Sequence, residues 1–255
     1  MPPYYKEGDE IKSNAVVVRD FGPAAVALER LKGSTTARDR FEVLQALVEY
    51  WNGPIAKSDG YSEAELAGLD LPDVLRWWYQ WAGKRTDILS GQNYLYSGQH
   101  SYRGLDQLSV DDDGLLTFYI ENQGCNFWAT PTRGEDPAIY MQENGISSSW
   151  QMEQVRMSEH LIIACLFEAP MNTPYGAMTS VLPADTLKKI EQVVWPVAVP
   201  PWLWFSCRVF CANGIVMSAL SVDDDTYTVW LGAHTADPLQ FLKPFINGDW
   251  DYVAI

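Results

Sequence analysis

The sequence predicts an α+β fold: helices first, then an antiparallel meander, then an additional C-terminal helix-plus-hairpin segment. Three observations carry this. Apolar residues recur at helical spacing between residues 22 and 83. From 88 to 142, short β-branched and aromatic runs alternate with turn signals at Asp113-Gly114, Gln123-Gly124 and Gly134. After residue 182 a further helical pattern is followed by a hairpin signature at Asn213-Gly214.

Residues 1–34 read as an N-terminal extension. Its leader holds a short strand at Ala15–Val18, and Gly22-Pro23 opens a brief helix that Gly33 stops. In the next helix Phe41, Leu44, Leu47, Val48 and Trp51 share a face. Thr35 or Thr36 caps its start and Asn52-Gly53-Pro54 ends it. A third helix runs from Pro72 to Gly83. Leu75, Trp78 and Ala82 lie on one face with Trp77 and Trp81 on an adjoining one, so burial on more than one side is expected. The meander comprises ILSGQNYLYSG, LDQLSV, LLTFYIEN, CNFWAT and PAIYMQ. A helix follows within SEHLIIACLFEAP, with Ser158 as its cap, Glu159 in its first turn and Pro170 as its stop. Residues 171–181 read as a loop, and LPADTLKKIEQVV as a helix with Pro183 near its start. Pro196, Pro200 and Pro201 keep PVAVPPWLWF irregular, before the Asn213-Gly214 hairpin and a last strand, TYTVWLG.

One internal echo stands out. Ser109-Val-Asp-Asp-Asp113 recurs as Ser221-Val-Asp-Asp-Asp225, each before a strand, and Leu71-Pro72 and Leu182-Pro183 each open a helix upstream. Either the C-terminal part is a degenerate repeat of the same plan, or turn and cap chemistry has converged.

Composition narrows the function. The 255 residues suffice for one large domain or two modest ones, and 47% are hydrophobic, as in a globular chain. Thirty-three acids against 18 bases give a net charge of −15, which argues against nucleic-acid phosphates and anionic membranes and favours basic partners. No apolar run has the length of a membrane span, and the N-terminus lacks the apolar core of a signal peptide, so a cytoplasmic location is expected. Cys125, Cys165, Cys207 and Cys211 lack CxxC spacing and read as buried thiols. The triple aspartates lack the alternating ligands and closing glutamate of a calcium loop, so they read as solvated turns. His100, His160 and His234 stand apart, and His160, in an apolar helix, reads as a structural histidine with satisfied nitrogens. There is no HExxH, GxSxG, phosphate loop or dinucleotide fingerprint. Neither a metal, a cofactor nor an enzymatic activity is expected.

The stretch FYIENQGCNFWAT, residues 118–130, concentrates the polar candidates. Glu121, Asn122, Gln123 and Asn126 supply donors and acceptors, while Phe127 and Trp128 supply apolar area, a mixture that suits protein recognition. The alternative is structural: polar side chains tie a hairpin turn, and strand alternation sends Trp128 into the core. Asn122 and Gly124 are assigned to the turn. Glu121, Gln123 and Trp128, with Asp111, Asp112 and Asp113, are the partner-binding candidates. Two other readings stay open: a general regulatory protein-binding scaffold, and a carboxylate-dependent glycan hydrolase with Glu121 as the acid.

Four segments in order, LPDVLRWWYQWAGKR at 71–85, FYIENQGCNFWAT at 118–130, EDPAIYMQ at 135–142 and SEHLIIACLFEA at 158–169, resemble the SUKH superfamily, whose members include many bacterial immunity proteins. The resemblance covers residues 35–170. It implies a twisted antiparallel sheet packed against helices, and a non-enzymatic role: binding and neutralising a cognate polymorphic toxin. With the acidic charge, the expected partner is a basic toxin domain, a nuclease or a nucleic-acid deaminase, blocked by carboxylates in its phosphate groove. Residues 171–255 lie outside the resemblance and read as a C-terminal α+β extension.

Overall fold

A computed structural model describes residues 20–89, 101–121, 124–143 and 149–255. The expected strand at 15–18 and most of ILSGQNYLYSG lie outside these residues. The first helix, α1 (Gly22–Leu31), has Pro23 in its first turn and packs along α2 (Ala37–Asn52). Thr36 caps α2, its hydroxyl accepting from Asp39 N at 3.1 Å, and Gly53 ends it at φ 89°. Helix α3 (Asp73–Ala82) starts after Pro72. Its Trp78 is buried, while Trp77 and Trp81 are half-buried with their edges against Phe41 of α2. The expectation of an aromatic helix with more than one covered side therefore holds in part. No helix among the described residues is long and apolar enough to cross a membrane.

The first sheet comprises β1 (Ser101–Tyr102), β2 (Ser109–Val110), β3 (Leu115–Ile120), β4 (Asn126–Pro131), β5 (Ala138–Glu143) and β6 (Gln151–Arg156). It is an antiparallel meander, β3-β4-β5-β6, with β1 and β2 both paired to β3. In this sheet β1 and β6 escaped the sequence reading: Ser101-Tyr102 falls between two expected strand pieces, and QMEQVR has one β-branched residue. In β6 the register slips, so that Ile139 alone faces Glu153, Gln154 and Val155, a bulge that turns Glu153 inward. Helix α4 (Met157–Glu168) follows directly.

Ser158 is not the cap of α4. Asp136, in the β4–β5 loop, reaches the helix start instead: its Oδ1 accepts from Ser158 N at 2.8 Å and its Oδ2 from Ser158 Oγ at 2.7 Å. Arg40 of α2 completes the knot, donating to Asp136 Oδ2 and Ser158 Oγ, both at 2.7 Å. Glu159 accepts from Arg156 N and closes the first turn.

The second sheet, order β11-β7-β10-β9-β8, is built from the C-terminal part. Its strands are β7 (Tyr175–Pro183), β8 (Arg208–Ala212), β9 (Ile215–Ser221), β10 (Thr226–Ala233) and β11 (Tyr252–Ala254), with helix α5 (Ala184–Ile190) after β7. The β8–β9 hairpin turns at Asn213 (φ 52°) and Gly214 (φ 78°), as the Asn-Gly pair predicts. The reading of 171–181 as a loop is corrected: most of it is β7. Gly176, Ala177 and Pro183 weaken the local strand signal, and the strand exists because β10 pairs along it from Tyr175 to Pro183.

One glycine makes this packing possible. A Cβ on Gly232 of β10 would lie 2.7 Å from Pro170 Cα and 2.2 Å from Thr173 Oγ1, just past the end of α4. Gly232→Ala should push the second sheet off that turn and cost about 3 kcal/mol in urea unfolding. A loss within 0.5 kcal/mol, about the size of an ordinary surface substitution, would show that the contact yields.

Helix α4 is apolar around its whole girth and almost entirely buried. It contacts α2 and α3, the β5 and β6 strands of the first sheet, and β8 and β9 of the second. One apolar cluster runs from Ala24 of α1 through α4 to Leu220 of β9, so packing continues across the expected boundary at 170–171. The sequence echo has a local cause. In both copies the first aspartate, Asp111 or Asp223, accepts from the N–H two residues on at the tip of a hairpin. The strand orders around the two hairpins differ: β3 has β4, which follows it, as its next neighbour, whereas β10 has β7, which precedes α5. Shared turn chemistry explains the echo without a shared plan.

Candidate functional site

The β2–β3 turn carries Asp111, Asp112 and Asp113. Asp111 is spent on the turn itself: its Oδ1 accepts from Asp113 N at 3.0 Å and Leu115 N at 2.9 Å, and its Oδ2 from Trp150 Nε1 at 2.7 Å. Asp112 and Asp113 are exposed at the tip. Of the three candidates, two face solvent and one holds them there.

The β3–β4 turn is built around Glu121. Gly124 N donates to Glu121 O at 2.8 Å, Glu121 N donates to Asn126 O at 2.8 Å, and Cys125 N donates to Glu121 Oε2 at 3.1 Å. Gly124 sits at φ 69°, which suits glycine. Asn122 and Gln123 lie outside the described residues. Glu121 is only 7% exposed and its carboxylate serves the turn, so its assignment to partner binding is corrected to a structural one.

Trp128 is a second correction. Strand alternation carries it inward, where it is fully buried against Tyr119, Trp202 and His160. Its indole Nε1 donates to Glu153 Oε1 at 3.1 Å. It cannot anchor a partner without leaving the core. Large exposed aromatic surface lies elsewhere, at Trp195 and Phe205, each 54% exposed.

Sequence reasoning missed a buried polar group behind this turn. Glu153 is 3% exposed and holds both Trp128 Nε1 and Leu203 N, the latter at 2.9 Å. Burial pushes its carboxyl upward, and the two donated hydrogen bonds oppose that shift. Glu168 is also buried and accepts from Tyr119 Oη at 3.4 Å. His160 does not have the satisfied nitrogens expected of it. It is fully buried, neither ring nitrogen has a hydrogen-bond partner, and burial depresses its pKa to about 3. Its neighbours are the rings of Trp202, Phe118, Tyr119 and Trp128, with centroids 5.0 to 6.1 Å away. The inward bulge of β6 that selects Glu153 depends on pairing with β5, and nothing local in the sequence announces it.

A second acidic tip was visible in sequence only as an echo. Asp223, Asp224 and Asp225 are exposed at the β9–β10 turn. Asp225 O accepts from Ala184 N at 2.8 Å, which brings exposed Asp185 of α5 beside that turn. Asp251 binds Ser180 N and Oγ three residues back along β7. Neither aspartate turn contains a lysine or arginine. The two tips are fixed in shape by their own backbone bonds, and such fixed surface charge attracts cations and basic surfaces.

Among the described residues, no three of His, Cys, Asp and Glu are grouped so as to hold a metal ion. Compared with known proteins, no family model, no curated protein and no solved structure matches this chain.

Proposed function

We propose that this chain is a cytoplasmic immunity protein of the SUKH kind, which binds a cognate polymorphic toxin and neutralises it without chemistry of its own. The observation that carries the reading is the pair of rigid acidic hairpin tips, Asp112-Asp113 and Asp223-Asp224-Asp225, exposed and free of lysine and arginine. The order of segments that resembles the SUKH superfamily supports it, as does the surplus of 33 acids over 18 bases. The partner is a basic toxin domain, a nuclease or nucleic-acid deaminase, whose phosphate-binding groove the carboxylates fill. Apolar contact falls to exposed side chains such as Trp195 and Phe205 rather than to Trp128.

Co-expression with the product of the neighbouring toxin gene tests this: cells should survive only when this chain is present. Asp112→Lys with Asp113→Lys should lower the association rate roughly tenfold at low salt and much less at high salt, with the fold unchanged. Survival without a detectable complex, or an unaltered rate in the variant, would refute toxin binding through this tip. Binding to several unrelated proteins without protection would favour a general scaffold.

A further inference from the structure

The interior around His160 is a costly arrangement. A buried imidazole with two unmade hydrogen bonds is disfavoured, and an aromatic box offers it no acceptor. One wall of that box belongs to no helix or sheet. Trp202, 1% exposed, comes from the proline-rich segment before β8 and lies 5.0 Å from His160 and 5.4 Å from Trp128. The segment is a small closed loop: Trp202 N donates to Cys207 O at 3.1 Å and Ser206 N to Leu203 O at 3.2 Å. Its link to the first sheet includes Leu203 N donating to the buried Glu153 carboxylate.

This loop is strained. Phe205 (φ 48°) and Ser206 (φ 45°) are consecutive non-glycine residues in the left-handed region, and Phe205 and Leu203 are exposed. Nothing in the turn chemistry of Trp-Phe-Ser favours that backbone. The strain is held by what surrounds it: the seat of Trp202 in the box and the grip of Glu153.

We propose that residues 200–207 form a strained strap over the aromatic box, and that protonation of His160 releases it. An imidazolium has no acceptor inside the box, so charging His160 requires that it meet water. The element that can let water in with least disruption is the strap, because its removal leaves both sheets paired. Of the titratable groups around His160, most are silent and one, Glu153, opposes the opening. From β3, Tyr119 is held neutral by burial, and Cys207 at the end of the strap likewise. On α4 itself, Glu168 lies two turns further along and is engaged by Tyr119. The Arg40–Asp136 pair sits at the helix start, tied to Ser158. From β6, Glu153 stands behind Trp128. Its carboxyl is raised by burial, so it takes its proton more readily with the strap closed, and acid acting on Glu153 opposes the opening that His160 drives. Lifting the strap would bare Trp202 and Trp128, apolar surface that is buried at neutral pH.

Amide hydrogen exchange at pH 7 and pH 4, corrected for intrinsic rates, tests the proposal. With His160 taking its proton near its ordinary value when open and at about 3 when closed, protection of Trp202 to Cys207 should fall roughly two-hundredfold. Amides of β9 and β10 should keep theirs. In His160→Leu the strap should retain its neutral-pH protection at pH 4. Glu153→Gln should loosen the strap at pH 7 yet preserve its response to acid. An unchanged strap at pH 4 would overturn the proposal, as would an equal acid response in His160→Leu. Loss of protection in β9 and β10 together with the strap would overturn it as well. If leucine is not tolerated at 160, the comparison of strap with β9 in the unaltered protein still decides.

Discussion

Asp136→Ala is expected to destabilise the fold by about 3 to 5 kcal/mol in urea unfolding, more than any surface acid in the chain. Asp136 and Arg40 have side chains only 8% and 12% exposed, and they meet at 2.7 Å. Alanine would strand the Arg40 guanidinium in a largely dry site. It would also uncap α4, since Asp136 Oδ1 accepts from Ser158 N. Helix α4 touches both sheets, so an error at its start is felt throughout. Asp136→Asn keeps an acceptor for Ser158 N but loses the charge. It should cost less than alanine, and the difference between the two separates capping from ion pairing. A loss below 1 kcal/mol in Asp136→Ala would mean that Arg40 finds another partner and that the knot is dispensable.

His160 should make stability fall in acid, and His160→Leu should remove that part of the fall. The folded protein binds a proton at His160 near pH 3, the unfolded chain near 6.5. Its contribution is therefore intact above pH 6.5 and is lost as pH falls toward 3. The loss is about 2 kcal/mol at pH 5 and about 4 kcal/mol at pH 3. Where the strap lifts first, the loss stops growing at the free energy of that opening. Glu153, raised by burial, runs in the opposite direction: its protonated form is favoured in the fold, and its contribution is lost as pH rises. The exposed carboxylates titrate alike in both proteins, so they cancel in the difference between the protein and its variant. At pH 7 the leucine variant should also be more stable by about 1 to 2 kcal/mol, because two unmade hydrogen bonds disappear. Equal pH dependence in the two proteins would show that His160 reaches water or a partner in solution.

What the sequence makes legible here is whatever is decided locally. Helix α2 has its five apolar positions, a threonine cap and a terminal glycine within eighteen residues, and every one of those features operates in the structure. The Asn213-Gly214 turn is likewise self-sufficient. Strand β7 is not: its small residues become a strand only between β10 and β11, and β10 lies more than forty residues downstream. The site divides the same way. Gly124 and the turn hydrogen bonds of Glu121 are local, and the alternation rule already allowed Trp128 to face inward. The role of Asp136 needs α2 and α4 brought together, and the burial of Glu153 depends on a bulge set by β5. His160 inverts the usual rule that buried polar atoms find partners, and no pattern in a single sequence signals that exception.

The claim on which the function rests is occlusion: rigid acidic tips occupying the groove where a toxin holds nucleic acid. Competition binding tests it most directly. With a purified toxin domain and its labelled nucleic-acid substrate, increasing amounts of this chain should displace the substrate in a one-to-one ratio and abolish turnover, and more salt should slow the displacement. A ternary complex of toxin, nucleic acid and this chain, or undiminished turnover in a saturated toxin complex, would contradict the account.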